Sequence, residues 1–186
     1  MLSKRRSLKV EALGLLVGKT GLFLYTNAMD TLKKIAKFVV SVGVVFAAAG
    51  LGSVFTMQGI PIWYDTLSKP PLLPPNEVFG PAWSVLYFLI GVALFLVWNA
   101  PRKKKTGMEY IAFFAQLVLN VAWCGVFFAL ELPWLGVVVI LLLIGAILWA
   151  MREFVRVSKP AMWLFVPYLL WTLFATYLTI GVAVLN

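Results

Sequence analysis

Five long stretches of the chain carry no charged residue: 38–64, 78–101, 110–130, 132–151 and 160–186. A helix needs about 20 apolar residues to cross the hydrocarbon core of a bilayer, and each stretch reaches that length. A membrane-spanning strand would need only about ten residues in strict apolar–polar alternation, a pattern that these runs do not follow. The spacing predicts helices over 38–57, 80–99, 110–130, 134–152 and 161–184. The fold class is therefore an all-α membrane protein, a bundle of five transmembrane helices.

Composition points the same way. Hydrophobic residues make up 62% of the 186 positions and charged residues 12%, where a soluble domain carries about 25% charged residues. A chain this short leaves roughly 30% of its unfolded surface exposed when it folds in water, so it cannot hide that much apolar area without lipid as part of its solvent.

The net charge of +9 changes the picture only through its placement. Lys33, Lys34 and Lys37 precede the first helix, Arg102, Lys103, Lys104 and Lys105 fill the second loop, and Arg152, Arg156 and Lys159 fill the fourth. The opposite loops hold Asp65, Lys69, Glu77 and Glu131. Basic residues thus recur at every second loop, as the positive-inside rule requires, which puts the N-terminus in the cytoplasm and the C-terminus outside. Basicity is read as topology, with the bilayer and not nucleic acid as the partner. The chain has no histidine and one cysteine, Cys124, so no internal disulfide, zinc site or histidine-ligated haem is expected. Cys124 reads as a small, inert, buried residue.

Residues 1–32 stand apart from the predicted membrane domain, 33–186. Lys4, Arg5, Arg6 and Lys9 precede a moderately apolar run, 12–25, interrupted by Lys19. It resembles the charged and apolar regions of a signal peptide but shows no small-residue cleavage site. Its reading is a flexible or interfacial extension. Met29 opens a stretch that would itself start a small membrane protein.

The longest connection is the loop 58–79, which contains Pro61, Pro70, Pro71, Pro74 and Pro75. Proline removes a backbone donor and biases its predecessor towards extended geometry, so an ordered, non-helical lid is expected, with Lys69, Pro70, Pro74 and Pro75 as its characteristic residues. In the third helix Gln116, Asn120 and Cys124 recur at four-residue spacing, a weakly polar stripe in an apolar helix. Buried amides in hydrocarbon need partners; these find them either in another helix or in a ligand held in a cavity. Trp98, Trp134 and Trp163 fall near predicted helix ends and read as an interfacial belt. Trp83, Trp123 and Trp171 lie deeper and Trp63 sits in the loop, a set that would suit a flat apolar ring system.

From Trp63 to Tyr87 the chain shows the spacing W-Y-x₂-L-x-K-P-x₃-P-P-x₃-F-x₃-W-x₃-Y. With Gln116, Leu117, Leu119, Asn120, Trp123, Phe127 and Phe128 in the third helix, and Pro167, Tyr168, Trp171, Phe174 and Ala175 in the fifth, this closely resembles the TspO/translocator family of tryptophan-rich membrane proteins. The resemblance covers about residues 33–186. It implies a cavity among the helices, closed by the first loop, that binds tetrapyrroles such as protoporphyrin IX without any required cofactor. The ligand-binding residues it implies are Trp63, Tyr64, Trp83, Tyr87, Gln116, Asn120, Trp123, Phe127, Trp171 and Ala175. Lys69, the only basic residue expected outside, either snorkels to headgroups or pairs with a ligand propionate. Animal translocators carry a C-terminal tyrosine-to-arginine segment linked to cholesterol; here no basic residue follows Tyr177, which disfavours a sterol ligand. Thr179 stands where many family members have asparagine.

The function this implies is a membrane receptor or carrier for porphyrins, acting in their sensing, transport or disposal. The alternative is a light- or redox-dependent porphyrin-degrading enzyme working through tryptophan. With no histidine, no nucleophile–base pair and helices read as free of carboxylates, acid–base catalysis has no players and no catalytic residue is named; ion-coupled transport is disfavoured on the same ground. A prokaryotic cell membrane is the expected location, with the mitochondrial outer membrane as alternative. Ala48 and Gly52 in the first helix, and the strip Ala175, Thr179 and Ala183 in the fifth, either pack internally or form the face of a homodimer. Deleting residues 1–28 is expected to leave expression, thermal stability and ligand binding nearly unchanged; loss of folded protein on a size-exclusion profile would show that the extension packs on the bundle.

Overall fold

The computed structural model describes the backbone of residues 2–101 and 106–186, and side chains from residue 23 onwards within that range. The basic loop 102–105, and the side chains of residues 1–22 on which the expected extension largely falls, lie outside the described residues. The chain forms two compact units, Met1–Lys37 and Phe38–Asn186, and the bundle described below is the second.

Its elements are α1 (Leu2–Ile62), α2 (Asn76–Asn99), α3 (Met108–Cys124) continued by a π turn (Gly125–Ala129), α4 (Pro133–Val157), α5 (Lys159–Trp163) and α6 (Val166–Leu185). Five segments are long and apolar enough to span a bilayer: Phe23–Ile62, Asn76–Asn99, Met108–Ala129, Pro133–Val157 and Lys159–Leu185. The expected bundle of five spans is therefore present, but its helix ends differ from the sequence reading. α1 was expected to begin near residue 38, after Lys33, Lys34 and Lys37. Charge marks where a span leaves hydrocarbon, not where a helix stops, and lysine is a good helix former. The fifth span is broken instead of continuous. Pro167 has no N–H to donate to the carbonyl of Trp163, and the chain turns at Leu164–Phe165 between α5 and α6. Ser158 caps α5, its hydroxyl accepting from the Ala161 N–H at 3.4 Å.

The charge-free reading of the helices also needs correction. Glu109 and Glu153 are both buried within helices. Each sits close to a helix end: Glu109 Oε2 accepts from the Thr106 and Gly107 N–H groups just before α3 at 3.2 and 3.0 Å, while its Oε1 has no partner among the described residues, and Glu153 accepts from Arg156 at 2.9 Å. Trp134 and Trp163, at helix ends, are exposed.

Inside lipid there is little hydrophobic drive between helices, so close packing and polar contacts set the arrangement. α4 packs along α3 and α6, and α2 meets α5 and α6. α1 makes its closest approaches where a partner has no side chain. Gly91 of α2 lies against Val42, where a Cβ would stand 2.9 Å from the Val42 Cα, and Gly59 of α1 lies so close to the Phe128 carbonyl that no Cβ fits. One polar hub joins three helices. Tyr87 of α2 donates to Asn120 Oδ1 of α3 at 2.6 Å, and Asn120 Nδ2 donates to Tyr168 Oη of α6 at 3.1 Å. All three residues are buried.

Two outcomes follow from this packing. Gly59→Val is expected to lower the melting temperature by an amount equivalent to about 1–3 kcal/mol of overpacking, whereas Gly43→Val, whose Cβ meets nothing within 4 Å, leaves it unchanged. Asn120→Leu is expected to cost about 1–3 kcal/mol by stranding two buried hydroxyls, measured by thermal unfolding in one detergent.

Candidate functional site

A cavity of about 530 Å³ lies between α1, α2, the end of α3 and α6. Its wall is built from helix faces. α1 contributes Phe46, Ala49, Gly50, Ser53, Met57 and Ile60, a run at three- and four-residue spacing, and α2 contributes Phe79, Trp83 and Tyr87 at strict four-residue spacing. α6 adds Trp171, Phe174, Ala175, Leu178, Thr179 and Val182.

The π turn shapes the fourth wall. Leu130 N–H bonds to the Gly125 carbonyl at 2.9 Å, five residues back, and such widened turns recur at functional sites. The turn brings Trp123, Phe127 and Phe128 together: Trp123 stacks on Phe127 with centroids 5.5 Å apart and planes 17° from parallel, and Phe127 meets Phe128 edge-on at 4.9 Å. Across the cavity Trp83 stacks on Tyr87 at 5.3 Å, and Trp171 meets Phe79 edge-on at 5.9 Å.

Of the residues expected to bind ligand, Tyr64, Trp83, Tyr87, Trp123, Phe127, Trp171 and Ala175 line this cavity. Trp63, Gln116 and Asn120 are not among its lining residues. Trp63 stands behind the wall, edge-on to Phe127 at 5.5 Å. Asn120 is one layer below, spent on Tyr87 and Tyr168, so its amide is answered by other helices and not by a ligand. Gln116 is fully buried, and neither its Nε2 nor its Oε1 has a partner among the described residues. The α1 face was missed in the sequence. Its signal, Phe46, Ala49, Gly50 and Ser53, is small and apolar and looks like ordinary span. Cys124, read as inert, is buried and belongs to the wall.

The loop does not lie over the cavity by way of its prolines. Only Tyr64 from the turn after α1 reaches the wall, and Lys69, Pro70, Pro74 and Pro75 do not line it. Pro70 packs on α6, where a Cβ on Gly181 would come within 2.5 Å of its ring. Lys69 is already engaged inside the loop, 3.7 Å from the Asp65 carboxylate and 5.2 Å over the Tyr64 ring. Burial, with a smaller push from Asp65, raises the Tyr64 hydroxyl above its ordinary range, which keeps it neutral.

Chemically the wall is apolar and carries no charged residue. Its hydroxyls are mostly spent on their own helices: Ser53 on the Gly50 carbonyl, Thr56 on Gly52, Ser84 on Gly80 and Thr179 on Ala175, all at 2.8–3.0 Å. The indole N–H groups of Trp123 and Trp171 are buried without a partner among the described residues. The flat aromatic faces suit a large, mostly apolar molecule, and no group of His, Cys, Asp and Glu among the described residues is placed to hold a metal ion.

Residues 41–185 match the model of the TspO/MBR family. The chain is 41% identical over 157 residues to the tryptophan-rich protein TspO of Archaeoglobus fulgidus, covering 82% of this chain and 98% of that one. It is 38% identical over 127 residues to the tryptophan-rich sensory protein of Cereibacter sphaeroides, covering 67% and 77%, and 37% identical over 119 residues to the translocator protein of Homo sapiens, covering 62% and 70%. The archaeal and bacterial matches extend over more of the chain than the human one, in keeping with a prokaryotic cell membrane. With its five spans, its aromatic cavity and a family match over most of its length, the chain belongs to the TspO/MBR family of membrane proteins.

Proposed function

We propose that this protein is a membrane receptor or carrier that binds tetrapyrroles of the protoporphyrin type in the aromatic cavity. The observation that carries the reading is the wall itself: Trp83, Trp123, Phe127 and Trp171 present flat faces around a volume within the roughly 300–1,000 Å³ usual for small-molecule sites. The relatives named for sensing and translocation favour the same class of activity, and the alternating basic loops favour a cytoplasmic N-terminus.

The uncharged wall limits how such a ligand sits. An unpaired carboxylate is costly to bury, so the macrocycle takes the aromatic part while ionised propionates stay towards water or headgroups. Lys69, held by Asp65, is not needed as their partner. Acid–base chemistry has no support, because the two buried carboxylates lie near helix ends and neither lines the cavity.

Titrating the reconstituted protein with protoporphyrin IX while following tryptophan fluorescence tests the reading. Trp83→Ala and Trp171→Ala are each expected to weaken binding by about 1–3 kcal/mol through lost aromatic contact, while Trp134→Ala, at an exposed helix end, leaves it unchanged. Equal affinity in the wild type and both cavity variants, with intact melting curves, would overturn it.

A further inference from the structure

Seven residues of the cavity wall are also exposed: Phe46, Gly50, Ser53 and Met57 on α1, and Asn76, Gly80 and Ser84 on α2. A residue that lines a cavity and is exposed at once stands at its mouth. These seven lie on two neighbouring spans, whereas the facing wall, Trp123, Phe127, Ala175 and Leu178, is buried. From Phe46 to Met57 the α1 edge of this mouth is about 16 Å long, eleven residues at about 1.5 Å each, roughly half a hydrocarbon core.

The slot has defined ends. Towards the basic loops α1 and α2 close on each other, with Val42 against Gly91 and Phe38 edge-on to Phe88 and Phe95 at 6.5 and 5.4 Å. At the other end the loop is strapped to α6. Ser68 donates its N–H to Asn186 Oδ1 and accepts from Asn186 Nδ2, both at 3.0 Å. Tyr177 donates to the Pro71 carbonyl at 2.7 Å, and Pro70 fills the space over Gly181. The aqueous end is thus tied down at three points while the flank is open within two membrane-spanning segments.

We propose that the cavity exchanges its ligand sideways with the bilayer, through a portal between α1 and α2, and not through the loop. The ligand class is a molecule that partitions into lipid, apolar over most of its surface and presented edge-on to the slot. Small residues at Gly50, Ser53, Gly80 and Ser84 keep the portal wide, and the hydroxyls of Ser53 and Ser84 turn back onto their own helices, which leaves the middle of the rim apolar; the amide of Asn76 stands at its α2 end. The portal rests on the tetrapyrrole reading for the identity of its cargo only, not for its route.

The protein supplies its own reporter, since Cys124, the sole cysteine, lies in the wall. Gly50→Phe and Gly80→Phe would plug the slot; a Cβ at either position meets nothing within 4 Å, so the fold has room for them, and Gly43→Phe is the matched control off the cavity. In vesicles, Cys124 is expected to react with a bilayer-soluble maleimide faster than with a sulfonated, water-confined one. The plugs are expected to slow the first reaction by about tenfold, and to slow protoporphyrin association and dissociation together, since a blocked route changes rates and not the relative stability of the end states. Loosening the strap with Asn186→Ala and Tyr177→Phe is expected to change none of these rates by more than about twofold, because the strap is off the route. Three results would overturn the portal: wild-type Cys124 untouched by the bilayer-soluble reagent although the SDS-unfolded protein reacts, plugs with no effect on either rate, or strap variants that speed exchange while the plugs do not slow it. If protoporphyrin fails to bind the wild type but the plugs still slow maleimide labelling, the portal stands and the tetrapyrrole reading falls.

Discussion

The hydrogen-bonded chain Tyr87–Asn120–Tyr168 is the constraint on which the rest depends. In hydrocarbon, helices gain little by hiding apolar side chains from lipid that is just as apolar, so a satisfied polar contact between helices carries weight it would not carry in a soluble core. Asn120 has both a donor and an acceptor to place, and the two tyrosines take one each. That fixes α2, α3 and α6 at one level. The same Tyr87 ring stacks on Trp83 and the Tyr168 ring meets Trp83 edge-on, so the hub that joins the helices is also the floor on which the cavity's aromatic wall stands.

Above that floor, the character of the cavity comes from what its polar groups are doing elsewhere. A serine or threonine in a span satisfies its hydroxyl most cheaply on the carbonyl three or four residues back, and Ser53, Thr56, Ser84 and Thr179 all do so. The wall is left apolar although several of its residues are nominally polar. The indoles of Trp123 and Trp171 have no such local option, because a ring N–H at the end of a rigid side chain cannot fold back to its own helix. They remain buried donors without a partner among the described residues, which costs stability.

Helix α1 is held differently from the others. At two of its contacts with the bundle, Val42 against Gly91 and Gly59 against Phe128, one partner is a glycine and the backbones come very close. Between those points it stands away from α2, and the cavity reaches its flank there. The loop that follows α1 does not compensate by covering the gap. Its prolines and Ser68 are committed to α6 and Asn186, and its one cation is committed to Asp65 and Tyr64. The loop closes one end of the bundle and leaves the side to lipid.

The sequence by itself determined the class of the protein, its five spans and most of the aromatic residues of its cavity. Uncharged runs of about 20 residues have few other physical outcomes, and the W-Y to W-x₃-Y spacing places Tyr64, Trp83 and Tyr87 on one course. It did not reveal that Asn120 serves the frame and not the wall, since a buried amide looks the same whether its partner is a tyrosine or a ligand. Nor did it reveal the α1 face, because Phe46, Gly50, Ser53 and Met57 carry no polarity or size that separates a cavity face from a lipid face. Lys69 looked available because charge pairing within a loop depends on its turn geometry, which brings Asp65 one helical turn away. Helix ends, the break before Pro167, the buried Glu109 and Glu153, and the partnering of the loop with α6 were likewise decided only by tertiary structure. Periodicity and charge report what each segment's surroundings must be on average, water or lipid. Which neighbour a side chain meets there is fixed by the packing of helices that the sequence places far apart.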